Sequence, residues 1–298
     1  MPLTGIIMSA RQSIDILMQA AEVNKQNPLR KGNLLHFPAD GELIISADLH
    51  NHRRNFERIV TFAALEQFPQ RHVILQELIH GGALGPDGED TSIEMVLDAA
   101  DWALQFPGQV HFLLANHDVA QVTSMPILKD GYDLTDRFTR SFNAFYGAQG
   151  VNVLAAYKQF VYSMPLAGIT ASGIFLSHSL PGVRDLDDFD PSIVRRKLTM
   201  TDYLRGGSVY KMVWGRFQTS DLLAQLSNLL WSDLLICGHQ GQDTGHGTLG
   251  KNMLIVDSSH NHGTILPLVL NRQYTMEDLI KALIPCPLIP STSTVLSL

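Results

Sequence analysis

The stretch Leu43-Ile44-Ile45-Ser46-Ala47-Asp48-Leu49-His50 carries the reading of the fold. Its first five residues are apolar or small and too few for a helix. They end abruptly on a carboxylate and an imidazole, which points to a strand buried on both faces. Helical spacing takes over at once, with Phe56, Ile59, Val60 and Ala63 on one face. A buried strand followed by an amphipathic helix is the repeating unit of an α/β sheet. Further apolar runs follow at Val73 to Leu75, Val110 to Ala115, Ile174 to Leu176 and Leu234 to Cys237, with Ile93, Val96, Leu97, Ala100 and Leu104 forming a second helical face.

Upstream, Ser9 and Gln12 stand in capping-box relation, and Ile14, Leu17, Met18 and Ala21 follow at helical spacing. This predicts an N-terminal helical extension over residues 1–40, its helix ended by Pro28. The body of the fold is expected over 41–284. Within it, residues 119–168 show weak periodicity apart from a helix over Asp133 to Tyr146, and form a candidate cap. Met253 to Val256 and Ile265 to Leu270 read as two closing strands joined by the polar turn Ser258 to Gly263. The tail, 285–298, is rich in Pro, Ser and Thr and reads as a loosely held surface strand.

Composition narrows the function classes. The chain has 298 residues, 45% hydrophobic and 17% charged, so it can bury a sizeable core and is neither disordered nor fibrous. A net charge of −7 argues against a nucleic-acid-binding surface, because affinity for the phosphate backbone is mostly cationic. No apolar run approaches the roughly 18 residues of a membrane span. The opening Met1-Pro2-Leu3-Thr4-Gly5 has no basic region leading into an apolar stretch, so no signal peptide is expected. Two cysteines, Cys237 and Cys286, allow at most one disulfide and fit a cytoplasmic location.

Ligands of open α/β sheets bind beyond the carboxyl ends of the strands. Each of the five apolar runs is followed there by a group able to bind a metal: Asp48 and His50, Glu77, Asn116-His117-Asp118, His178, and His239. One strand-end histidine is ordinarily a structural or solvated residue, but five such sites in succession are not explained that way. Imidazole, carboxylate and amide oxygen together suit divalent Mn, Fe or Zn, and a carboxylate can bridge two of them.

The order of these motifs resembles the calcineurin-like metallophosphoesterases, and within them the serine/threonine phosphoprotein phosphatases. The family pattern runs D-x-H, G-D-x-x-D-R-G, G-N-H-D/E, a strand-end His and a late G-H. The matching segments are Asp48-Leu49-His50, Gln76 to Gly82, Ala115 to Asp118, His178 within Leu176 to Gly182, and Gly238-His239-Gln240. The resemblance spans about Glu42 to Gly263 and implies a four-layer α/β/β/α sandwich with a dinuclear metal site. It assigns Asp48 and His50 to one cation, Asn116, His178 and His239 to the other, and Glu77 as the bridge. A hydroxide between the metals then attacks the phosphorus of a phosphorylated protein or small molecule, with His117 beside the leaving oxygen. The catalytic set so implied is His117, Asp118 and Arg216.

The departures lie in the second motif. Glu77 stands for the family's shorter bridging Asp, and His80-Gly81 replaces its Asp-Arg pair, so the usual orienter of the catalytic His and one phosphate clamp are both expected to be missing. Arg216, in Trp214-Gly215-Arg216-Phe217, is the preferred replacement clamp, ahead of Arg53, Arg54 and Arg184. The usual second His of a late G-H-x-H is here Gly241, for which His246, His260 or His262 are candidates to substitute.

Gly245-His246-Gly247-Thr248-Leu249-Gly250 satisfies G-x-G-x-x-G but precedes a strand, so it reads as a glycine-rich turn and not as a dinucleotide fingerprint. With no G-x-S-x-G elbow, Ser177 and Ser179 read as loop residues. Two rival readings remain. Asp48-Leu49-His50-Asn51-His52 could open a metal-dependent hydrolase on a (β/α) barrel, although the chain offers too few βα units. The altered second motif also fits a non-catalytic relative acting as a binding module, against which the retained His117 argues.

Overall fold

The computed structural model describes residues 8–290. The readings of the opening residues 1–7 and of the tail beyond 290 lie outside the described residues. The chain begins with α1 (Ala10–Gln26), whose expected capping box is present at Ser9 and Gln12. Its buried stripe is Ser13, Leu17, Ala20, Ala21 and Asn24, whereas Met18, expected on that face, is 43% exposed. The stripe is rotated because two polar residues on it find partners: Ser13 Oγ donates to Tyr146 OH at 3.2 Å, and Asn24 Nδ2 donates to Ser163 Oγ at 3.0 Å.

After α1 come β1 (Arg30–Lys31), β2 (Leu34–His36), β3 (Glu42–Asp48), α2 (Arg53–Ala63), β4 (Arg71–Gln76), α3 (Ser92–Gln105), β5 (Val110–Leu113) and α4 (Asn116–Thr123). The middle of the chain holds a small hairpin, β6 (Leu128–Lys129) and β7 (Tyr132–Asp133), then α5 (Leu134–Tyr146), α6 (Gly150–Ser163), β8 (Ala167–Ile169) and β9 (Ile174–Ser177). The remainder is α7 (Met200–Tyr203), α8 (Ser208–Trp214), α9 (Ser220–Leu230), β10 (Leu234–Cys237), β11 (His246–Leu249), β12 (Met253–Val256), β13 (Thr264–Val269), α10 (Met276–Ala282) and β14 (Ile284–Pro285). Among the described residues no helix is long and apolar enough to cross a membrane.

Two sheets face each other, in the orders β14-β13-β3-β4-β5 and β1-β2-β8-β9-β10-β12-β11. Both have a parallel centre, β3-β4-β5 in one and β9-β10-β12 in the other. Alternate residues of each strand face the partner sheet, as the two-residue period requires. Leu43, Ile45 and Ala47 of β3 share one inner core with Ile74, Leu176, Ile236, Leu254 and Val256, while Ile44, Val73, Leu75 and Leu235 pack outward under the helices. The result is the expected α/β/β/α sandwich. The stretch 119–168 contributes α6, which packs along α1 and sets Phe160 edge-on to Phe112 of β5 at 5.0 Å, so this helix belongs to the outer helical layer. One further correction concerns Gly245 to Gly250: the expected turn contains β11, an edge strand paired antiparallel with β12.

The end of the inner core away from the strands' carboxyl termini is polar. His72 Nδ1 and His111 Nε2 lie 3.1 Å apart, and Asn27 Nδ2 donates to His111 Nδ1 at 3.0 Å. Burial pushes His111 down to about 3, with neighbouring His72 adding to the shift. Its folded pKa is therefore below its unfolded one, so it contributes stability above the unfolded value of about 6.5 and loses it as the pH falls toward 3, at about 1.4 kcal/mol per pH unit. Denaturant titrations at pH 7.5 and 5.5 should show wild type losing roughly 1 kcal/mol more than His111→Leu. Equal losses would show that His111 is not held neutral.

Candidate metal centre

The loops at the carboxyl ends of β3, β4, β5, β9 and β10 converge where the two sheets meet. Glu77 carbonyl oxygen accepts from the N–H groups of Leu49 (3.1 Å) and His50 (2.8 Å), which lays the Asp48-Leu49-His50 loop against the loop after β4. Across the sheets, His239 N–H donates to Asp48 Oδ1 at 2.9 Å. Gly238 permits this approach, since a Cβ there would sit 2.5 Å from Asp48 Oδ1. Of the ten left-handed non-glycine residues described, five belong to these loops: His50, Asn51, Glu77, His80 and His239. Such backbone strain is retained where the surrounding structure enforces it, commonly at functional sites.

Glu77 lies at the centre and is 2% exposed. Its Oε2 is 3.1 Å from His178 Nε2, and its Oε1 is 3.4 Å from His117 Nε2. Asn116, the first residue of α4, places Oδ1 2.7 Å from His178 Nε2 and 3.0 Å from His239 Nδ1. His50 Nδ1 donates to Ile79 carbonyl oxygen at 2.9 Å, so its Nε2 keeps a lone pair, as a metal-ligating histidine requires. Two groups result, His50-Glu77-His117 and Glu77-His178-His239, in each of which one ligand atom per residue lies within 4.8 Å of the others. Asp48 adjoins the second group, its Oδ1 3.6 Å from His178 Nδ1. The structure thus brings together all six residues expected as ligands, and Glu77 is common to both groups.

Charge in this pocket is unevenly shared. Burial, reinforced by Glu77, pushes Asp48 up to about 6. Burial acts in the same direction on Glu77, but His117, His178 and His50 outweigh it and hold the carboxyl well below its usual range. His178 shows the counterpart: burial opposes its protonation, yet Glu77 and Asp48 raise its pKa. Three side-chain atoms here, Glu77 Oε1, His178 Nδ1 and His239 Nε2, are buried without a hydrogen-bond partner. His178 Nε2 and His239 Nδ1 converge on Asn116 Oδ1, and His178 Nε2 also on Glu77 Oε2, so neutral rings protonated on their other nitrogens would turn two lone pairs toward these oxygens. Two imidazole lone pairs and a carboxylate oxygen suit a divalent cation.

The expected catalytic residues fare differently. His117, with its side chain 15% exposed, faces the outer part of the pocket, its ring 4.9 Å from that of His50. Asp118 lies behind His117. Its Oδ2 accepts from Ala115 N–H at 3.1 Å and its Oδ1 from Tyr157 OH at 3.2 Å, so it braces the start of α4. Burial, reinforced by Glu77, pushes it up to about 7. Arg216 is exposed beside Trp214, near enough for its charge to help lower His239 after burial has done so. It lines a cleft with Arg184 and Trp214, whereas Arg53 is paired with Asp98.

The histidines offered as substitutes for Gly241 are engaged elsewhere or lie at the rim. His260 Nε2 donates to Gln242 carbonyl oxygen at 2.8 Å, His262 N–H donates to His260 Nδ1 at 3.1 Å, and His246 begins edge strand β11. His52 caps α2, accepting from Asn55 N–H at 3.2 Å, which removes the His-x-His that a barrel hydrolase would use. In place of the orienter expected to be lost stands His80, whose Nδ1 lies 3.0 Å from His117 Nδ1. Sequence reasoning also missed Trp214, whose ring stands edge-on to His239 at 6.1 Å. Only its place beside Arg216 could have signalled it.

No protein-family model and no curated protein sequence matches the chain. Solved structures do. The chain is similar to a protein serine/threonine phosphatase from Saccharomyces cerevisiae that resembles human phosphatase PP5, with a TM-score of 0.67 and 14% identity over 93% of this chain and 89% of that one. It is also similar to the cold-active protein-tyrosine phosphatase of a psychrophilic Shewanella species, with a TM-score of 0.56 and 15% identity over 84% and 80%. At such identities the likeness establishes the fold, which is the phosphoprotein-phosphatase type of metallophosphoesterase sandwich.

Proposed function

We propose that this chain is a metal-dependent phosphoesterase holding two divalent cations that share Glu77. One observation carries the reading: Glu77, His178 and His239, all buried, each bring a ligand atom within 4.8 Å of the others, and Glu77 Oε1, His178 Nδ1 and His239 Nε2 are buried without a hydrogen-bond partner. Each such atom costs about 1–3 kcal/mol unless something satisfies it. Asp48, His50 and Glu77 would hold one cation, and Glu77, Asn116, His178 and His239 the other, with Mn, Fe or Zn the fitting metals. Such cations neutralise phosphate charge and make water acidic enough to supply hydroxide at neutral pH. The chain's own groups do the rest. His117 presents Nε2 beside the leaving oxygen, where it would take up the proton lost by the attacking water and pass it to that oxygen. Arg216 clamps phosphoryl oxygens from the exposed side, and Trp214 closes the pocket beside His239.

Both structural neighbours bear the names of protein phosphatases, which supports phosphorylated protein side chains as the substrate class, with small phosphate esters the alternative. Residues 41–284 act in this reading as one domain carrying the 1–40 extension. The free, buried Cys237 and Cys286 support a reducing, cytoplasmic setting. Reconstituted with Mn²⁺ or Zn²⁺, the protein is expected to hold up to two cations by elemental analysis and to release phosphate from an aryl phosphate and from phosphopeptides. Arg216→Ala should raise KM about 10- to 100-fold, the loss of a charged hydrogen bond, while leaving metal content unchanged. Failure to take up any cation sinks the reading.

A further inference from the structure

We propose that His80, Gln121 and Thr139 form a one-way hydrogen-bond chain that fixes His117 with its proton on Nδ1 and its Nε2 lone pair turned toward Glu77. The inference rests on the reading of His117 as the group beside the leaving oxygen, and it names what positions that group. It starts in α5, outside the pocket. Thr139 has one hydroxyl proton and donates it to the Thr135 carbonyl oxygen at 2.9 Å. Its oxygen is left to accept from Gln121 Nε2 at 2.7 Å. That bond fixes which end of the Gln121 amide points where: Oε1 faces His80 Nε2 at 3.1 Å. An amide oxygen only accepts, so His80 Nε2 carries a hydrogen.

His80 is 4% exposed, and the ring of Phe138 stands edge-on to it at 5.5 Å. Burial in such surroundings disfavours the imidazolium and pushes His80 down to about 4. A neutral ring with its hydrogen on Nε2 has a bare Nδ1, which lies 3.0 Å from His117 Nδ1. His117 must therefore donate from Nδ1. Its Nε2, the only ring nitrogen that reaches the pocket, then confronts Glu77 Oε1 at 3.4 Å as one acceptor facing another. Neither atom satisfies the other, which agrees with Glu77 Oε1 being without a partner. His80 is thus a positioning residue acting through His117, and Gln121, 1% exposed, is the switch that sets its direction.

Long-range ¹⁵N–¹H spectra of the imidazole rings test this directly, on the full chain with and without Zn²⁺, the His117 signals being assigned by their loss in His117→Asn. Wild type should show the Nδ1–H tautomer of His117 in both states. Finding the Nε2–H tautomer in the metal-free protein overturns the proposal. His80→Ala should release the preference, whereas His80→Asp, which keeps an acceptor and tolerates the left-handed backbone at this position (φ 64°), should restore it. Should His80→Ala fail to fold, Gln121→Leu serves, because it frees the His80 ring to turn; an unchanged His117 tautomer in that folded variant also overturns the chain. With a turnover assay in hand, His80→Ala is expected to lower kcat about 10- to 100-fold at unchanged KM and metal content, the range known for partners that orient functional imidazoles. A locked tautomer in a protein without phosphoesterase activity leaves the chain standing and removes the enzymatic reading. Activity with the opposite tautomer does the reverse.

Discussion

Glu77→Ala is expected to lose at least one divalent cation and, with it, turnover down to background. The two oxygens of this carboxylate look in different directions, Oε1 toward His117 and Oε2 toward His178, and the two metal-capable groups have Glu77 as their common member. Removing it takes one ligand atom from each group and the negative charge that lies between them. Two unit charges about 4 Å apart already interact by about 4 kcal/mol at an effective dielectric of 20, and two dications by about four times that, so a pocket without Glu77 cannot keep both. Glu77→Asp keeps the charge but withdraws it by one methylene from surroundings shaped for the longer side chain. Both cations should stay and turnover should change. Elemental analysis of the two variants beside wild type decides the matter: two cations and full activity in Glu77→Ala would make Glu77 an ordinary buried carboxylate and dissolve the shared-ligand proposal.

The same variant exposes a trade between stability and function. In the metal-free chain burial and the neighbouring Glu77 push Asp48 up to about 6, so its ionised form is disfavoured there at neutral pH. A pocket built this way opposes folding until cations arrive. Added Zn²⁺ should consequently raise the melting temperature of wild type more than that of Glu77→Ala.

What the sequence showed plainly was local. A strand such as β3 is a short apolar run, and the residues that follow it face the pocket at its carboxyl end, so the cluster of Asp48, His50, Glu77, Asn116, His178 and His239 could be anticipated by walking to the end of each run. Pairing between distant segments left no such trace. β2 and β8 are three-residue strands whose partnership joins Leu34 to Ala167, and nothing within either segment announces the other. The glycines around β11 hid an edge strand, because an edge needs little side-chain burial to hold its register. The rotated stripe of α1 has a different cause: Ser13 and Asn24 are polar by composition yet buried, since their partners lie on the segment from Tyr146 to Ser163. His80 was legible as a departure and illegible as a replacement. Its role depends on Gln121 and Thr139, one on α4 and one on α5, whose approach only the fold creates.

His117→Asn is the second change expected to have a large effect, and the leaving group of the substrate decides whether it is seen. The side chain sits at the partly open edge of the pocket with Nε2 toward Glu77, and the opposite nitrogen is taken up by His80. If Nε2 takes up the proton lost by the attacking water and hands it to the departing oxygen, kcat for an alkyl phosphate or a phosphoserine peptide should fall about 10²- to 10⁴-fold, roughly 3 to 5 kcal/mol of transition-state stabilisation. An aryl phosphate with a good leaving group needs no proton, so its rate should fall far less. That contrast separates delivery of a proton from general damage to the site, which slows both substrates alike. Metal content settles the remaining alternative. His117 belongs to one of the two metal-capable groups, so a variant that loses a cation together with activity would mark it as a ligand. Retention of both cations with a loss confined to the poor leaving group would mark it as the acid, and equal rates on both substrates with both cations bound would exclude either role.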